Sequence, residues 1–296
     1  MKKILFFLII LCTAGYWGFT EGHTGWNDSS LKNLVKTEQA SEPLRLGKDF
    51  LGELTDWAGA FITGLAGSSD KDTPASPENN PKANEKPALS LMEKMNNIVH
   101  FQQALEARIE RKNFVPSSEI PDILKKAIVA TEDRRFYEHG ALDPIGVVRA
   151  FITNYMAGRT VEGGSTLAQQ TVKNIFLSNE RTFLRKAEEL ALAMQLEKYY
   201  TKDQILEMYL NTIYFGHGAY GLKEASHIYF GKEPKDLDLS QCAMLAGLPQ
   251  APSAYDPIDH PKEGAERMTI VLTLMAQQGY ISSDEATKAA MELWLK

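Results

Sequence analysis

Cysteine is scarce in this chain, and an excess of positive charge is missing. Its 296 residues include two cysteines, Cys12 and Cys242, and the formal net charge at pH 7 is −6. Two cysteines in unrelated segments support neither a disulfide framework nor a cysteine metal site. Nucleic-acid binders neutralise phosphates with a basic excess, so the acidic balance excludes that general class and leaves only local phosphate recognition. Strand-like alternation and internal repeats are missing as well, which argues against β-rich and repeat architectures.

One long apolar run lies near the N-terminus. Ile4 to Phe19 follows two lysines and contains a single polar side chain, Thr13. As a helix, sixteen residues span about 24 Å, at ~1.5 Å per residue, against a hydrocarbon core of ~30 Å. The run is therefore either a cleaved signal peptide or a short membrane anchor. Its aromatic end suits a membrane interface and no small-residue cleavage motif follows, so we expect an anchor over residues 1–20, with the rest of the chain exported.

Residues 21–88 predict a linker in two parts. Apolar residues recur at intervals of three and four across residues 50–66, which predicts an amphipathic helix. We expect this helix to dock on the main body or to contact the membrane surface or a partner, although its acidic polar face disfavours anionic lipid. Residues 67–88 have no large apolar side chain and cannot offset their ordering entropy. This second part is therefore predicted to be a flexible, disordered tether.

The remaining segment, residues 89–296, has mostly helical periodicity. Helix starts are indicated by Thr201 with Gln204 and by Ser282 with Glu285, which have the spacing of capping boxes. We therefore expect an all-α domain over this segment.

The stretch Thr131–His139, reading TEDRRFYEH, places a glutamate in an apolar setting. Leu124, Ile128, Glu132 and Phe136 are spaced by four and so share one stripe of a helix. A carboxylate held between an isoleucine and a phenylalanine loses hydration, which raises its pKa toward the range useful for proton transfer. From this stripe alone, a structural glutamate paired with a cation explains the pattern equally well.

A second candidate carboxylate lies in the segment Phe183–Tyr200, whose centre is apolar on every side and predicts a buried helix. Glu189 shares its stripe with Arg185 and Lys186, whereas Glu188 lies on the neighbouring stripe. Taken alone, this spacing is typical of an intrahelical salt bridge. Paired carboxylates across a cleft are nevertheless the common arrangement for chemistry at an anomeric carbon.

A cluster of cations lies between the two candidate glutamates. Gly163–Thr166 predicts a tight turn into a helix, whose backbone N–H groups and hydroxyls can hold an anion or a sugar. Gln169 and Gln170 follow one turn later. The cations are Lys173, Arg181, Arg185 and Lys186. In an acidic protein, their simplest shared function is to bind a diphosphate.

At these residues the sequence resembles the peptidoglycan glycosyltransferases, the family shared by the polymerase domain of class A penicillin-binding proteins and by monofunctional wall polymerases. TEDRRFYEH resembles the first family motif, and Gly163–Asn174, reading GGSTLAQQTVKN, resembles the second. Arg185–Glu189 is similar to the third, R-K-x-x-E, which selects Glu189 over Glu188. Ile205–Gly216 resembles the fourth. The resemblance covers most of the main body and none of the anchor or tether.

The resemblance implies a lysozyme-like helical head with a smaller, membrane-proximal jaw. It implies that lipid II, an undecaprenyl-diphosphate disaccharide-pentapeptide, is polymerised into β-1,4 glycan strands with inversion and release of the lipid diphosphate. Glu132 is then the general base for the acceptor 4-hydroxyl, and Glu189 is the second catalytic glutamate. The implied substrate-binding residues are Asp133, Ser165, Gln169, Lys173, Arg181, Arg185 and Lys186.

Two departures from the family pattern concern single positions. Gly140 precedes Ala141, where the family has its glycine one residue later, and the late motif retains only its first arginine, Arg267. No ligand cluster in the sequence demands a metal, although a divalent cation, Mg²⁺ or Mn²⁺, is compatible with a diphosphate. The chain ends without room for a transpeptidase domain, so we expect a monofunctional polymerase.

The expected location is the extracytoplasmic face of a bacterial membrane, with a single membrane span. The expected partners are lipid II, the growing glycan strand, the bilayer and other wall-synthesis proteins, with no nucleic acid. Within Pro144–Met156, an apolar face is interpreted by default as core, while the resemblance implies a lipid-contacting jaw. Two other functions are compatible with the chain: a lysozyme-like glycan hydrolase or lytic enzyme, and a catalytically silent wall-assembly scaffold.

Overall fold

The computed structural model describes residues 89–157, 163–178 and 183–292, all within one compact unit, Ser76–Lys296. The predicted anchor, linker and tether lie outside these residues, as does Arg181. None of the described helices combines the length and apolar character needed to cross a bilayer.

The described part of the chain is built from eleven α-helices. They are α1 Leu91–Val99, α2 Phe101–Glu106, α3 Asp122–Glu132, α4 Pro144–Ala157, α5 Leu167–Phe176, α6 Phe183–Tyr199, α7 Lys202–Thr212, α8 Leu222–Phe230, α9 Leu239–Gly247, α10 Pro261–Gln277 and α11 Ser283–Met291. Apart from an isolated bridge between Tyr214 and Tyr220, no β-structure occurs among these residues. The prediction of an all-α domain is confirmed for this part.

The helix starts that the sequence indicates are capped as predicted. Thr201 accepts from the Gln204 amide at 3.3 Å, and the Gln204 side chain accepts from the Thr201 amide at 2.9 Å. Ser282 and Glu285 form the same reciprocal pair ahead of α11. Each pair satisfies two amide donors that a helix start leaves without intrahelical acceptors.

Helix α3 lies at the centre of the core, packed against α9 and α10. Its apolar stripe is confirmed at Leu124 and Ile128, both fully buried. The expected extension of that stripe as a helix is wrong, because α3 ends at Glu132 and Asp133 leaves the helical region with φ −157°. Phe136 is still fully buried, but it reaches the core from a turn. Glu132 is therefore the last residue of a buried helix.

Helix α6 is less completely buried than its apolar centre predicts. Leu192, Ala193 and Leu196 are buried, whereas the Met194 side chain is 50% exposed. The cause is that α6 packs against α5 on one side and against α1 and α2 on another, and these contacts leave part of its circumference in solvent.

Helix α4 carries an apolar stripe that faces solvent. Ile145, Val148, Ile152 and Met156 are between 43% and 81% exposed. The default interpretation of this face as core is therefore wrong. Apolar side chains at intervals of three and four form one continuous strip, and a strip of this kind is the type of surface that contacts other apolar material.

The loop between α7 and α8 depends on glycine at one close approach. Gly221 has φ +80°, and a Cβ placed there would lie 2.6 Å from the carbonyl oxygen of Asn211. The Asn211 side chain bonds both the amide and the carbonyl of Val115, at 2.7 and 2.9 Å. The glycine thus lets the loop pass against a residue that ties α7 to the segment before α3.

We expect Gly221→Ala to destabilise the fold more than Gly218→Ala. Both glycines have positive φ, but nothing lies within 4 Å of a Cβ at Gly218. Gly218→Ala should therefore cost only the left-handed conformation, about 1–2 kcal/mol, while Gly221→Ala adds overpacking of ~1–3 kcal/mol. Denaturant unfolding of the two variants measures the difference, and equal losses would contradict the close approach.

Candidate active site

The N-terminus of α5 connects the two predicted glutamates. From its first turn, Gln170 Nε2 donates to Glu132 Oε2 at 2.9 Å. On the neighbouring side, Gln169 Oε1 accepts from Lys186 Nζ at 3.1 Å, and Lys186 also forms an ion pair with Glu189. Glu132 at the end of α3 and Glu189 on α6 are therefore linked through two adjacent glutamines of one helix.

The loop that follows Glu132 is fastened to the same helix start. Asp133 Oδ2 accepts from the Leu167 amide at 3.0 Å, while its Oδ1 lies 2.7 Å from His139 Nε2. Thr166, the N-cap of α5, accepts from the Gln169 amide through its hydroxyl oxygen. Both Thr166 Oγ1 and Gln169 Nε2 donate to the Ala141 carbonyl at 3.0 Å. A short network thus positions the first residues of α5 beside Glu132.

Glu132 is partly buried, as expected of a residue at the end of a core helix. Besides Gln170 it interacts electrostatically with Arg267, which the sequence identified only as the remaining arginine of a late motif. Burial lowers the pKa of Arg267, and the charge of Glu132 opposes that shift. The structure therefore combines a base candidate with a buried cation. The predicted rise in the pKa of Glu132 from desolvation stays a prediction.

The side chain of Arg267 is buried against a glycine of α9. Its residue is 8% exposed, its Nε donates to the Gly247 carbonyl at 3.1 Å, and its guanidinium lies 5.5 Å from the centre of the Tyr255 ring. A Cβ at Gly247 would lie 2.8 Å from Arg267 Cγ. The glycine at the end of α9 thus makes room for the arginine stem.

Glu189 is the more buried of the two candidate glutamates. It is 2% exposed, its Oε2 accepts from Arg185 Nη1 at 2.8 Å, and its other oxygen accepts from Lys186 Nζ. Lys186 also donates to Ser165 Oγ at 3.2 Å. The intrahelical salt bridge that the spacing predicts is present, and through Lys186 it extends to the turn before α5.

Glu188 has a different environment, although it is also buried. Its Oε2 lies 3.0 Å from Lys94 Nζ on α1. This contact joins α6 to α1 and makes Glu188 a packing contact between two helices. The structure therefore separates the neighbouring glutamates, with Glu189 in the network around α5 and Glu188 directed to α1.

Two further predicted site residues, Lys173 and Asp133, have different surroundings. Lys173 is partly buried on α5, one turn beyond the two glutamines. Asp133 uses both carboxylate oxygens on protein partners, which favours a positioning role, and its predicted contact with substrate stays a prediction. Sequence reasoning missed Gln170 as the partner of Glu132 and missed His139 entirely. The only signal was their place inside the two motifs.

Two groups of side chains have the composition of metal ligands within the described residues. They are Asp133, His139 and Asp143, and His217, Asp256 and Asp259, with the ligand atoms of each group within 4.8 Å of one another. In the first group both ring nitrogens of the histidine lie at hydrogen-bond distance from oxygen atoms. These three side chains therefore form a hydrogen-bonded network, in which neither ring nitrogen is placed to bind a cation. In the second, His217 Nδ1 lies within hydrogen-bond distance of Asp256 Oδ2, at 3.2 Å.

The described part of the chain is similar in sequence to known proteins. A transglycosylase family model matches residues 99–276, which include the described site. Penicillin-binding protein 1F of Bacillus subtilis is 52% identical over 180 residues, 61% of this chain and 25% of that protein. Penicillin-binding protein 1A of Aquifex aeolicus is 46% identical over 181 residues, also 61% of this chain and 25% of that protein. The chain spans about a quarter of the length of the curated relatives it matches.

The alignment with a crystal structure of penicillin-binding protein 1A from Haemophilus influenzae covers 43% of this chain and 16% of that protein's chain, at 33% identity and a TM-score of 0.31. This overlap is too loose to support a conclusion about the fold. The family match, in contrast, covers more than half of the chain. The chain belongs to the transglycosylase family, the peptidoglycan glycosyltransferases, and the resemblance seen in its motifs is confirmed.

We expect removal of the buried cation to change the ionisation of Glu132. A positive charge favours the carboxylate form, so Arg267→Met should raise the pKa of Glu132 relative to the wild-type protein, whereas Arg267→Lys retains the charge and should have less effect. Carbon-detected NMR titration of glutamate-labelled protein measures this pKa directly. An unchanged titration in Arg267→Met would show that the two groups are not coupled.

Proposed function

We propose that this chain polymerises lipid II into β-1,4 glycan strands, with inversion at the donor sugar and release of undecaprenyl diphosphate. The observation that supports this most directly is the linkage of Glu132 and Glu189 through Gln170, Gln169 and Lys186 at the start of α5. A carboxylate from α3 and cations from α6 that meet around the start of α5 match the two requirements of the reaction: a base for the acceptor and positive charge for the leaving group.

Glu132 acts as the general base in this proposal. Its carboxylate takes the proton of the acceptor 4-hydroxyl, the hydroxyl oxygen forms a bond to the donor anomeric carbon, and the bond from that carbon to the diphosphate oxygen breaks. The Gln170 amide orients the carboxylate. The charge of Arg267 favours its ionised form, which is the form that accepts a proton.

The diphosphate leaves with the bonding electron pair, so its negative charge grows in the transition state. Lys173, Arg181, Arg185 and Lys186 are the cations proposed to stabilise that charge, together with the N-terminus of α5, Ser165 and Gln169. Glu189 holds Arg185 and Lys186 in place. Its proposed part in the reaction is therefore to organise positive charge around the leaving group.

A membrane location fits a substrate with a polyprenyl chain. The exposed apolar strip of α4, from Ile145 to Met156, is the surface we assign to lipid contact in the jaw. The proposed N-terminal anchor, the single span, the extracytoplasmic location and further wall-synthesis partners belong to the same proposal. A Mg²⁺ or Mn²⁺ ion on the diphosphate is compatible with this chemistry, and no step depends on it.

We expect Glu132→Gln to abolish polymerisation while lipid II binding survives. General-base catalysis contributes about 10²–10⁴-fold, and the amide keeps the size of the side chain without its basicity. Purified full-length protein is supplied with labelled lipid II, and lysozyme-sensitive polymer is measured beside binding. Glu138→Gln, in the same motif at an exposed position, is the matched control and should retain activity.

Two further assays, on preformed cell wall and in cells, separate the competing functions. Release of fragments from preformed cell wall without polymer would identify a hydrolase or lytic enzyme, and full cellular function of Glu132→Gln would identify a scaffold. Polymer formed by Glu132→Gln at close to the wild-type rate would reject the base assignment.

We expect the two neighbouring glutamates of α6 to respond differently to the same substitution. Glu189→Gln weakens the anchoring of Arg185 and Lys186 and should lower kcat on the order of 10²-fold. Glu188→Gln weakens only its pair with Lys94, so it should cost ~1–3 kcal/mol of stability and retain most activity. Steady-state kinetics and denaturant unfolding of both variants make the comparison. Equal loss of activity would mean that Glu189 has no special role.

A further inference from the structure

His139 lies in the loop between α3 and α4 with its side chain 4% exposed. Its Nε2 is 2.7 Å from Asp133 Oδ1, and its Nδ1 is 2.7 Å from the carbonyl oxygen of Gly140. A carbonyl oxygen and a carboxylate oxygen can only accept hydrogen bonds. A neutral imidazole carries one N–H and would turn a lone pair toward one of these oxygens. With Asp133 ionised, the geometry therefore favours a proton on both ring nitrogens.

We propose that His139 is a positioning residue that acts as an imidazolium and clamps the loop 133–141 onto the N-terminus of α5. This inference rests on the proposed function for its effect on catalysis, while the protonation state itself can be tested independently. His139 contacts neither Gln170 nor Glu132 in the described bonds, so it acts through Asp133 and the loop.

Both ends of the loop are attached to the first turn of α5. At one end, Asp133 follows Glu132 directly and accepts from the Leu167 amide at 3.0 Å. At the other end, the Ala141 carbonyl accepts from Gln169 Nε2 and Thr166 Oγ1. The imidazolium bridges Asp133 to Gly140, which precedes Ala141, and so closes the loop between its two attachment points. Loss of one ring proton would leave only one of the two bonds, which breaks the bridge and loosens the start of α5 relative to Glu132.

The charges around the ring favour its protonated form. Burial lowers the pKa of His139, but the hydrogen bond and charge of Asp133, the Gly140 carbonyl and the charge of Asp143 outweigh it, and the net shift is upward. Arg135 Nε lies 3.8 Å from Asp143 and partly neutralises it. The first turn of α5, residues 167–170, has no ionisable side chain. Asp133 is therefore the dominant partner.

The sign of the resulting pH dependence follows from the raised pKa. Stabilisation by the imidazolium is fully present below the pKa of a free histidine, about 6.5, and is lost as pH rises through the higher folded pKa of His139. A histidine whose folded pKa were lowered would give the opposite dependence. The clamp should therefore be closed below the pKa of a free histidine and should open as the pH rises through the higher folded pKa of His139.

The direct test is nitrogen NMR of histidine-labelled full-length protein across a pH series. The signal of His139 is assigned by its disappearance in His139→Gln. The expected result is two protonated ring nitrogens at pH 6, converting to one protonated and one bare nitrogen at a higher pH than in a free histidine. A His139 transition at or below the pH of the free histidine transition would overturn the proposal, whether or not the protein polymerises lipid II.

Asp133→Asn provides the second measurement, because it keeps the shape of the side chain and removes its charge. We expect the His139 transition to move to lower pH, together with the alkaline limb of the pH–kcat profile, and kcat above that limb to fall on the order of 10²-fold with a smaller change in KM. Asp236→Asn, the same substitution at an exposed position, is the control and should move neither.

Failure of the two proposals can be told apart. If the ring is doubly protonated but the protein has no polymerase activity, the proposal for His139 stands and the proposed function is rejected. If the protein polymerises lipid II but the alkaline limb does not move in Asp133→Asn, the proposed function stands and the positioning role of His139 is rejected.

Discussion

The hydrogen bonds at the start of α5 are the interaction on which the rest of the site depends. A helix N-terminus presents amide donors without intrahelical acceptors, and here Thr166 and Asp133 satisfy two of them, at Gln169 and Leu167. Because Asp133 directly follows Glu132 in the chain, the hydrogen bond by which Asp133 caps α5 also positions Glu132. The side chains of Gln169 and Gln170 then point the network toward Lys186 and Glu132. A change that displaced this turn would move both glutamates relative to each other.

Burial determines the part that each charged group can play. Glu189 and Arg267 are almost inaccessible, so each needs a partner in the protein. Lys186 has a side chain that is 35% exposed and can contact both Glu189 and a ligand at the surface. The charged groups of the site therefore differ in burial, from fixed interior charges to partly exposed cations. This difference suits the proposed reaction, in which a bulky anionic group binds and leaves while the base stays in place.

Much of this arrangement could be predicted from the sequence, because motifs and helix periodicity are local properties. The capping boxes, the apolar stripe of α3 and the grouping of Glu189 with Arg185 and Lys186 all depend on spacings of three or four residues. The end of α3 at Glu132 was not predictable in this way, since Phe136 keeps the apolar spacing although the backbone has turned.

Contacts between distant segments were also beyond the local pattern. Gln170 meets Glu132 across 38 positions, and Arg267 approaches it only because Gly247 leaves space between α9 and α10. The default interpretation of the α4 face as core was wrong for a related reason, because periodicity shows that a helix has an apolar face and not what covers it. Burial of one glutamate against α1 and of its neighbour near α5 likewise follows from tertiary packing.

The burial of Arg267 has a consequence for the response of the protein to ionic strength. At 0.1 M salt, mobile ions screen the interaction between exposed charges that are more than about 10 Å apart, but they act far less on charges enclosed by protein. Added salt should therefore weaken the hold of the partly exposed lysines on an anionic ligand long before it alters the field that Arg267 exerts on Glu132. Binding of an anionic ligand should thus depend on ionic strength, whereas the ionisation of Glu132, the proposed base, should not.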